Sequence, residues 1–368
     1  MFIKSRLGAI YLVYLVTFAV TACGNDSAPI IADVVTAQSP TLVPLSDFQK
    51  GLVYTSWWHG EYSTLESDET LAQLIKPMGI NWISVVVTCY QDTITSTKIE
   101  CLPNTKTPTN ADLYHVIRQA RQLGLRVMLK PHVDLSNDDF HWRGEIGFED
   151  NERAWEAWFA SYAEFITHYA RLAQAAGVDY FVIGTELVET SVRADQWRSL
   201  VKMIRGIYSG PITYAANPGE VWDVTWWDAV DAIGADAYYP LTQINHPTVA
   251  ELKEAWMPIV SRMGQFSRGW ARPIIFTEIG YRSVEGANQQ PSDPVAINLQ
   301  EQADRYQAVF EAFKGQAWWH GVFWWNWTPD LLQGGPQDND FTANNKPAEN
   351  ILRLNYGAPL RDISTPAP

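Results

Sequence analysis

Cysteine is scarce in this 368-residue chain, with only Cys23, Cys89 and Cys101. That excludes a scaffold built on disulfides in place of a core. Cations are also in the minority: 27 Lys and Arg stand against 41 Asp and Glu, for a formal net charge of −14. Nucleic-acid binding needs a basic face, so no nucleic acid is expected as a partner. The seven histidines are scattered. There is no H-E-x-x-H, no close pair of cysteine ligands, no Walker loop and no G-x-S-x-G elbow. No metal and no cofactor are therefore expected. Nor is there an internal repeat, and the apolar run from Leu7 to Val20 is too short for a comfortable transmembrane span.

That run has another reading. Lys4 and Arg6 precede it and small residues follow, the order of a signal peptide. "VTAC" before Gly24 resembles a bacterial lipobox, with Val20 in place of the usual Leu. Residues 1–22 are thus predicted to be a lipoprotein leader and Cys23 the lipidated residue, which would tether an exported protein to the membrane at the cell surface. Residues 23–48 are rich in Ser, Pro and Ala without a sustained period, as a tether would be. In an exported chain Cys89 and Cys101, which flank the polar stretch "YQDTITSTKIE", are candidates for a disulfide that pins one loop.

What the chain has in excess is aromatic surface: 17 Trp, 16 Tyr and 14 Phe. Some of it fills the core. Yet each indole brings an N–H that wants a partner, and a core rarely takes so many. Flat aromatic faces also suit a sugar-binding cleft, where pyranose C–H faces stack.

From residue 49 to 358, short apolar, β-branched or aromatic runs alternate with helical patterns. Eight runs read as strands: residues 51–57, 80–90, 126–134, 180–187, 211–217, 232–240, 273–281 and 321–327. Such strands, covered by helices, imply a parallel α/β sheet, and eight units close into a single-domain (β/α)8 (TIM) barrel. A doubly wound open sheet would usually show a glycine-rich turn after the first strand, and "YTSWWHGEYS" has none. Residues 359–368 read as a tail.

Two of these strands end alike. "DYFVIGTEL" runs to Glu186 and "PIIFTEIGY" carries Glu278. A carboxylate at the end of a buried run is costly to desolvate, and a like charge nearby adds to the cost. In a (β/α)8 barrel the active site lies at the C-terminal strand ends, so both carboxylates are expected at one mouth. Two carboxylates beside an aromatic cleft fit glycoside hydrolysis. Glu189 is the rival to Glu186, three residues further into the loop.

An acid/base after strand 4 and a nucleophile after strand 7 is the pattern of the large clan of retaining (β/α)8 glycoside hydrolases. Within it, "LKPHVD", "HWRGEI", "FVIGTEL", "FTEIGYRS" and "FWWNW" resemble glycoside hydrolase family 113, whose members are mainly endo-β-mannanases. The resemblance implies Glu186 as acid/base, Glu278 as nucleophile, and a polysaccharide or oligosaccharide substrate. One departure stands out: Thr185 occupies the place where most of the clan has an Asn that holds the sugar 2-hydroxyl. A Tyr after strand 6 that bonds the nucleophile is also implied, with Tyr238 preferred to Tyr239 and Asp236 orienting neighbours.

Strand parity places Lys130, His132 and Asp134 on one face, polar groups where packing alone would want apolar ones. Asn217 ends strand 5 as a possible hydroxyl ligand. Parity also puts Phe323, Trp325 and Trp327 together, opposite Trp324 and Asn326; Trp325 is expected to floor the site, with Trp57, Trp58 and Trp142 flanking it. The function expected is retaining hydrolysis of β-mannan by a monomer, with another β-glycan such as β-glucan or xylan as alternative substrate. A non-catalytic sugar-binding lipoprotein is the alternative of a different class.

Overall fold

The computed structural model of the protein describes residues 47–103, 105–286 and 296–363. The leader, Cys23, all of the tether but its last two residues, and residues 364–368 of the tail lie outside this range.

Eight parallel strands close in sequential order. They are β1 (Gln49–Tyr54), β2 (Trp82–Gln91), β3 (Arg126–Leu135), β4 (Tyr180–Thr185), β5 (Ile212–Ala216), β6 (Ala232–Asp236), β7 (Ile274–Ile279) and β8 (Trp319–Trp327). β8 pairs back onto β1 and removes the last open edge. The (β/α)8 barrel expected from the alternation of patterns is the fold.

Around it lie α1 (Leu65–Glu69), α2 (Asn110–Gln122), α3 (Glu152–Ala176), α4 (Val188–Ser191), α5 (Ala194–Arg205), α6 (Val249–Trp270), α7 (Leu299–Phe313) and α8 (Pro347–Tyr356). Their ends follow local chemistry. Thr109 with Asp112, and Thr248 with Glu251, form capping boxes that open α2 and α6. Gly177, at φ 67°, lets α3 end in a left-handed turn.

The connections after β1 and after β5 differ from a plain strand–helix alternation. After β1, residues 61–78 form a composite segment: a 3-10 turn, α1, a π turn (Thr70–Ile75) and a second 3-10 turn ending at Gly79. Leu71, Leu74, Ile75 and Met78 are its buried stripe, a helical spacing masked by the polar run before it. After β5 there is no α-helix before β6, only the 3-10 turns Glu220–Trp222 and Trp227–Ala229.

Alternation along the strands makes two cores. Val53, Trp82, Val86, Met128, Tyr180, Val182, Ala215, Ile275 and Phe323 fill the barrel interior. A larger layer lies between strands and helices. Most tryptophans belong to these cores; Trp158, Trp197, Trp226, Trp227, Trp256, Trp324 and Trp327 are fully buried. The indole excess is thus chiefly packing, with a minority left for a cleft.

One expectation on β8 fails. Phe323 and Trp325 do face the barrel interior, but Trp327 packs in the outer layer with Trp324. The β1–β8 register shifts between Leu52 and Tyr54, and such an irregularity breaks strict parity beyond it. Among the described residues, no helix is long and apolar enough to cross a membrane.

Candidate active site

The C-terminal end of the barrel gathers an unusual number of buried charges. Asp236 and Glu278 are register partners on β6 and β7. Lys130, on β3, reaches across the interior to both. Its ammonium donates to Asp236 Oδ1 and Oδ2 at 3.0 and 3.1 Å, and to Glu278 Oε1 at 2.5 Å. Lys130 and Asp236 are wholly buried and Glu278 nearly so. An unpaired charge here would be prohibitive, so each sign requires the other. Burial works against the Lys130 ammonium, but Asp236 and Glu278 outweigh it and hold its pKa above the usual lysine value. Asp236 is pushed well above the carboxylate range, first by burial and then by Glu278; Lys130 and the Thr277 hydroxyl, which donates to it at 2.7 Å, pull the other way.

The other Glu278 oxygen accepts from the Tyr238 hydroxyl at 3.0 Å. Tyr239, the next residue, turns instead to Trp256, and its hydroxyl has no hydrogen-bond partner among the described residues. His132 is buried beside Glu278, with Nε2 3.8 Å from Oε1. Burial, then Arg143 and Lys130, push its pKa well below the usual histidine value, so the ring is neutral. Arg143 Nη1 donates to Nδ1 at 3.4 Å, which leaves the ring proton on Nε2, facing the carboxylate.

Arg143 continues the line. It donates to Asp134 Oδ2 at 3.0 Å and lies 3.9 Å from Glu186 Oε2. Lys130, His132 and Asp134 therefore do share a face, and two of them are joined through an arginine the strand pattern did not single out. Arg143 comes from the 3-10 turn Arg143–Glu145 after β3, and only the fold brings it here.

Glu186 follows β4 directly and has φ 52°, a left-handed conformation unusual for a residue with a side chain. Its N–H donates to Ala215 O on β5 at 2.8 Å, and its Oε1 accepts from Asn217 Nδ2 at 3.3 Å. Burial raises the Glu186 pKa above the usual carboxylate value, and the charge of Glu278 raises it further; Arg143, Lys130 and Asn217 lower it. The two glutamates are thus at one mouth, linked through His132 and Arg143. Glu189 is exposed on α4. The Thr185 hydroxyl is buried and has no partner among the described residues.

Aromatic residues line the same end. Trp57 and Trp325 meet edge to face with centroids 6.3 Å apart. Trp57, Trp58 and Trp142 are among the few large apolar side chains left exposed, at 38%, 53% and 41%. Cys89 and Cys101 are joined by a disulfide that closes the loop after β2. That loop accepts the Gly147 N–H at Ile94 O, beside the turn carrying Arg143. Among the described residues no group of His, Cys, Asp and Glu is arranged to hold a metal ion.

Splitting a glycosidic bond asks for one carboxyl that can give a proton and a second, differently held, that can attack or direct water. On a (β/α)8 barrel, at the strand ends where such sites lie, that arrangement marks a glycoside hydrolase. The chain belongs to Glycoside Hydrolase Family 113, whose model matches residues 54–346. Its structure is similar to that of a GH113 β-1,4-mannanase solved as a complex: 29% identity, 85% of this chain and 100% of that one covered, TM-score 0.76. It is likewise similar to the GH113 β-mannanase AaManA from Alicyclobacillus acidocaldarius in complex with ManMIm: 29% identity, 85% and 98% covered, TM-score 0.76. A β-glucuronidase from Ruminococcus gnavus, 13% identical with TM-score 0.56, shares the fold alone. No curated protein sequence matches the chain.

Proposed function

We propose that this enzyme hydrolyses β-mannan or related β-mannosides with retention, through a covalent glycosyl-enzyme intermediate. Glu278 is the nucleophile and Glu186 the acid/base. The observation that carries this is the unlike holding of two linked carboxylates. Glu278 accepts from an ammonium and a phenol, which fix the direction of its oxygens as an attacking group requires. Glu186 is pushed up by burial and by the charge of Glu278, as a proton donor should be. Once Glu278 bonds to the sugar its charge is gone, and with it one cause of that rise. Glu186 then gives up a proton more readily and can draw one from water in the second step.

The electrostatics favour a neutral sugar. Lys130 and Arg143 are both engaged by protein carboxylates, and a uronic acid would add another negative charge to Asp134, Glu186 and Glu278. The solved relatives named as β-mannanases support mannan in particular. Trp325, Trp57, Trp58 and Trp142 offer stacking faces for successive sugars, and His132 and Asn217 offer hydrogen bonds. The leader read at residues 1–22, followed by Cys23 as the lipidated residue, supports an exported protein held to the membrane by lipid, and loss of fatty-acid labelling in Cys23→Ala would test it.

The decisive experiment adds azide to Glu186→Ala with an activated β-mannoside. A mannosyl azide of retained configuration is expected, while Glu278→Ala, which lacks the attacking carboxylate, forms no azide of that configuration. Net inversion in the first product of the wild type would refute the covalent route. Faster turnover of β-glucan or xylan than of mannan would refute the substrate.

A further inference from the structure

Behind Glu186 lies a buried carboxylate that the hydrolytic steps do not use. Glu220 opens the first 3-10 turn after β5 and is 3% exposed. The Tyr214 hydroxyl donates to its Oε1 at 2.5 Å, and the Asn217 N–H donates to its Oε2 at 2.9 Å. Each of these donors leads on to Glu186. The Tyr214 oxygen accepts the N–H of Leu187, the residue after Glu186, at 2.8 Å. The Asn217 side-chain amide donates to the Glu186 carboxylate itself.

Two hydrogen-bonded lines thus run from one carboxylate to the acid/base, one through backbone and one to the reacting group. They meet a residue whose backbone needs such support, because Glu186 sits at φ 52°. Left-handed residues with a side chain persist where their surroundings over-determine them. The surroundings are tight: Trp197, Trp226 and Trp227 ring Tyr214 at centroid distances of 5.1, 5.3 and 6.3 Å. Gly184, two residues before Glu186, has no room for a Cβ, which would come 2.7 Å from Trp197 and 2.8 Å from Tyr214. Burial pushes the Glu220 carboxyl up to about 7, and Glu186 contributes to the rise. Packing alone does not call for such a group.

We infer that Glu220 is a positioning residue for Glu186, acting through Tyr214 and Asn217 to aim the proton it transfers. This rests on the reading of Glu186 as acid/base. The test compares two β-mannobiosides that differ only in leaving group. A dinitrophenolate leaves without a proton, whereas a methylphenolate needs one, and kcat/KM reports the step in which it leaves. Glu186→Ala serves as the reference. If it loses kcat/KM equally on both substrates, the acid/base assignment fails, and Glu220 is not the cause. If its loss falls on the methylphenyl substrate alone, Glu220→Gln is read against it.

Glu220→Gln is expected to lose about tenfold or more in kcat/KM on the methylphenyl substrate and no more than about twofold on the dinitrophenyl one. A brace that merely holds the β5–β6 connection would weaken both alike, and equal losses, or no loss on either, overturn the inference. Should Glu220→Gln fail to fold, Tyr214→Phe keeps the ring and breaks one line. The same leaving-group selectivity is expected of it, and its absence is equally fatal.

Discussion

Replacing Lys130 by Met tests whether one ammonium holds the catalytic floor together. The substitution keeps the length of the side chain and removes its charge. Asp236 and Glu278 are then left as neighbouring carboxylates in a site that is 0% exposed at Asp236 and 6% at Glu278. Breaking a buried ion pair from one side costs about 3–5 kcal/mol. For a chain of this size that lowers Tm by roughly 5–8 °C. Asp236, already pushed up by burial and by Glu278, loses the cation that restrains it and takes a proton. Activity should fall at least about a hundredfold, since Glu278 loses an electrostatic partner at hydrogen-bond distance. Adding Asp236→Asn puts a group there that is neutral without having to take up a proton, and keeps an acceptor for Thr277. The double variant should therefore recover about half of the lost stability and none of the activity. Calorimetry on the four members of this cycle, with mannan hydrolysis beside it, measures both. A Lys130→Met protein that melts within about a degree of wild type would refute the reasoning, as would strictly additive losses in the double variant.

Other outcomes follow from the same geometry. Tyr238→Phe should keep the fold and lose about tenfold or more in kcat, because Glu278 Oε2 loses its phenolic donor; unchanged kcat would deny Tyr238 that role. The basic limb of the kcat/KM–pH profile should lie above the usual carboxylate range, because activity falls as Glu186 gives up its raised proton. Arg143→Met removes a charge that lowers the Glu186 pKa, so that limb should move to higher pH; a shift downward would contradict the assignment. Cys89→Ser with Cys101→Ser opens a loop of sequence separation 12 and should cost about 2–3 kcal/mol, read as a fall in the denaturant midpoint.

The barrel was legible because each strand is a short apolar run that stops at a turn or a charge. Glu186 and Glu278 stood out for the same reason, as carboxylates where a buried run should have none. Lys130 could be placed on the inward face by parity, but its salt bridge to Asp236 joins residues 106 positions apart, and no local pattern encodes that. Arg143 lies inside "HWRGEI", but nothing local marks it as a site residue, since an arginine in a loop is usually solvated. Glu220 was hidden in the same way: only burial separates it from a surface glutamate. The Trp327 error shows the limit of parity, which holds only while register does. The aromatic excess misled in proportion, because composition counts indoles without saying which side of a strand they leave from.

The stretch between β5 and β6 does without an α-helix, and indoles sheathe the barrel there. Trp197 and Trp226 stack with centroids 5.1 Å apart and planes 6° from parallel, close enough for their electronic transitions to mix. Light absorbed by that pair carries a circular-dichroism signature of its own. Because the stack flanks Tyr214, the protein contains an optical gauge close to Glu186, readable without any label.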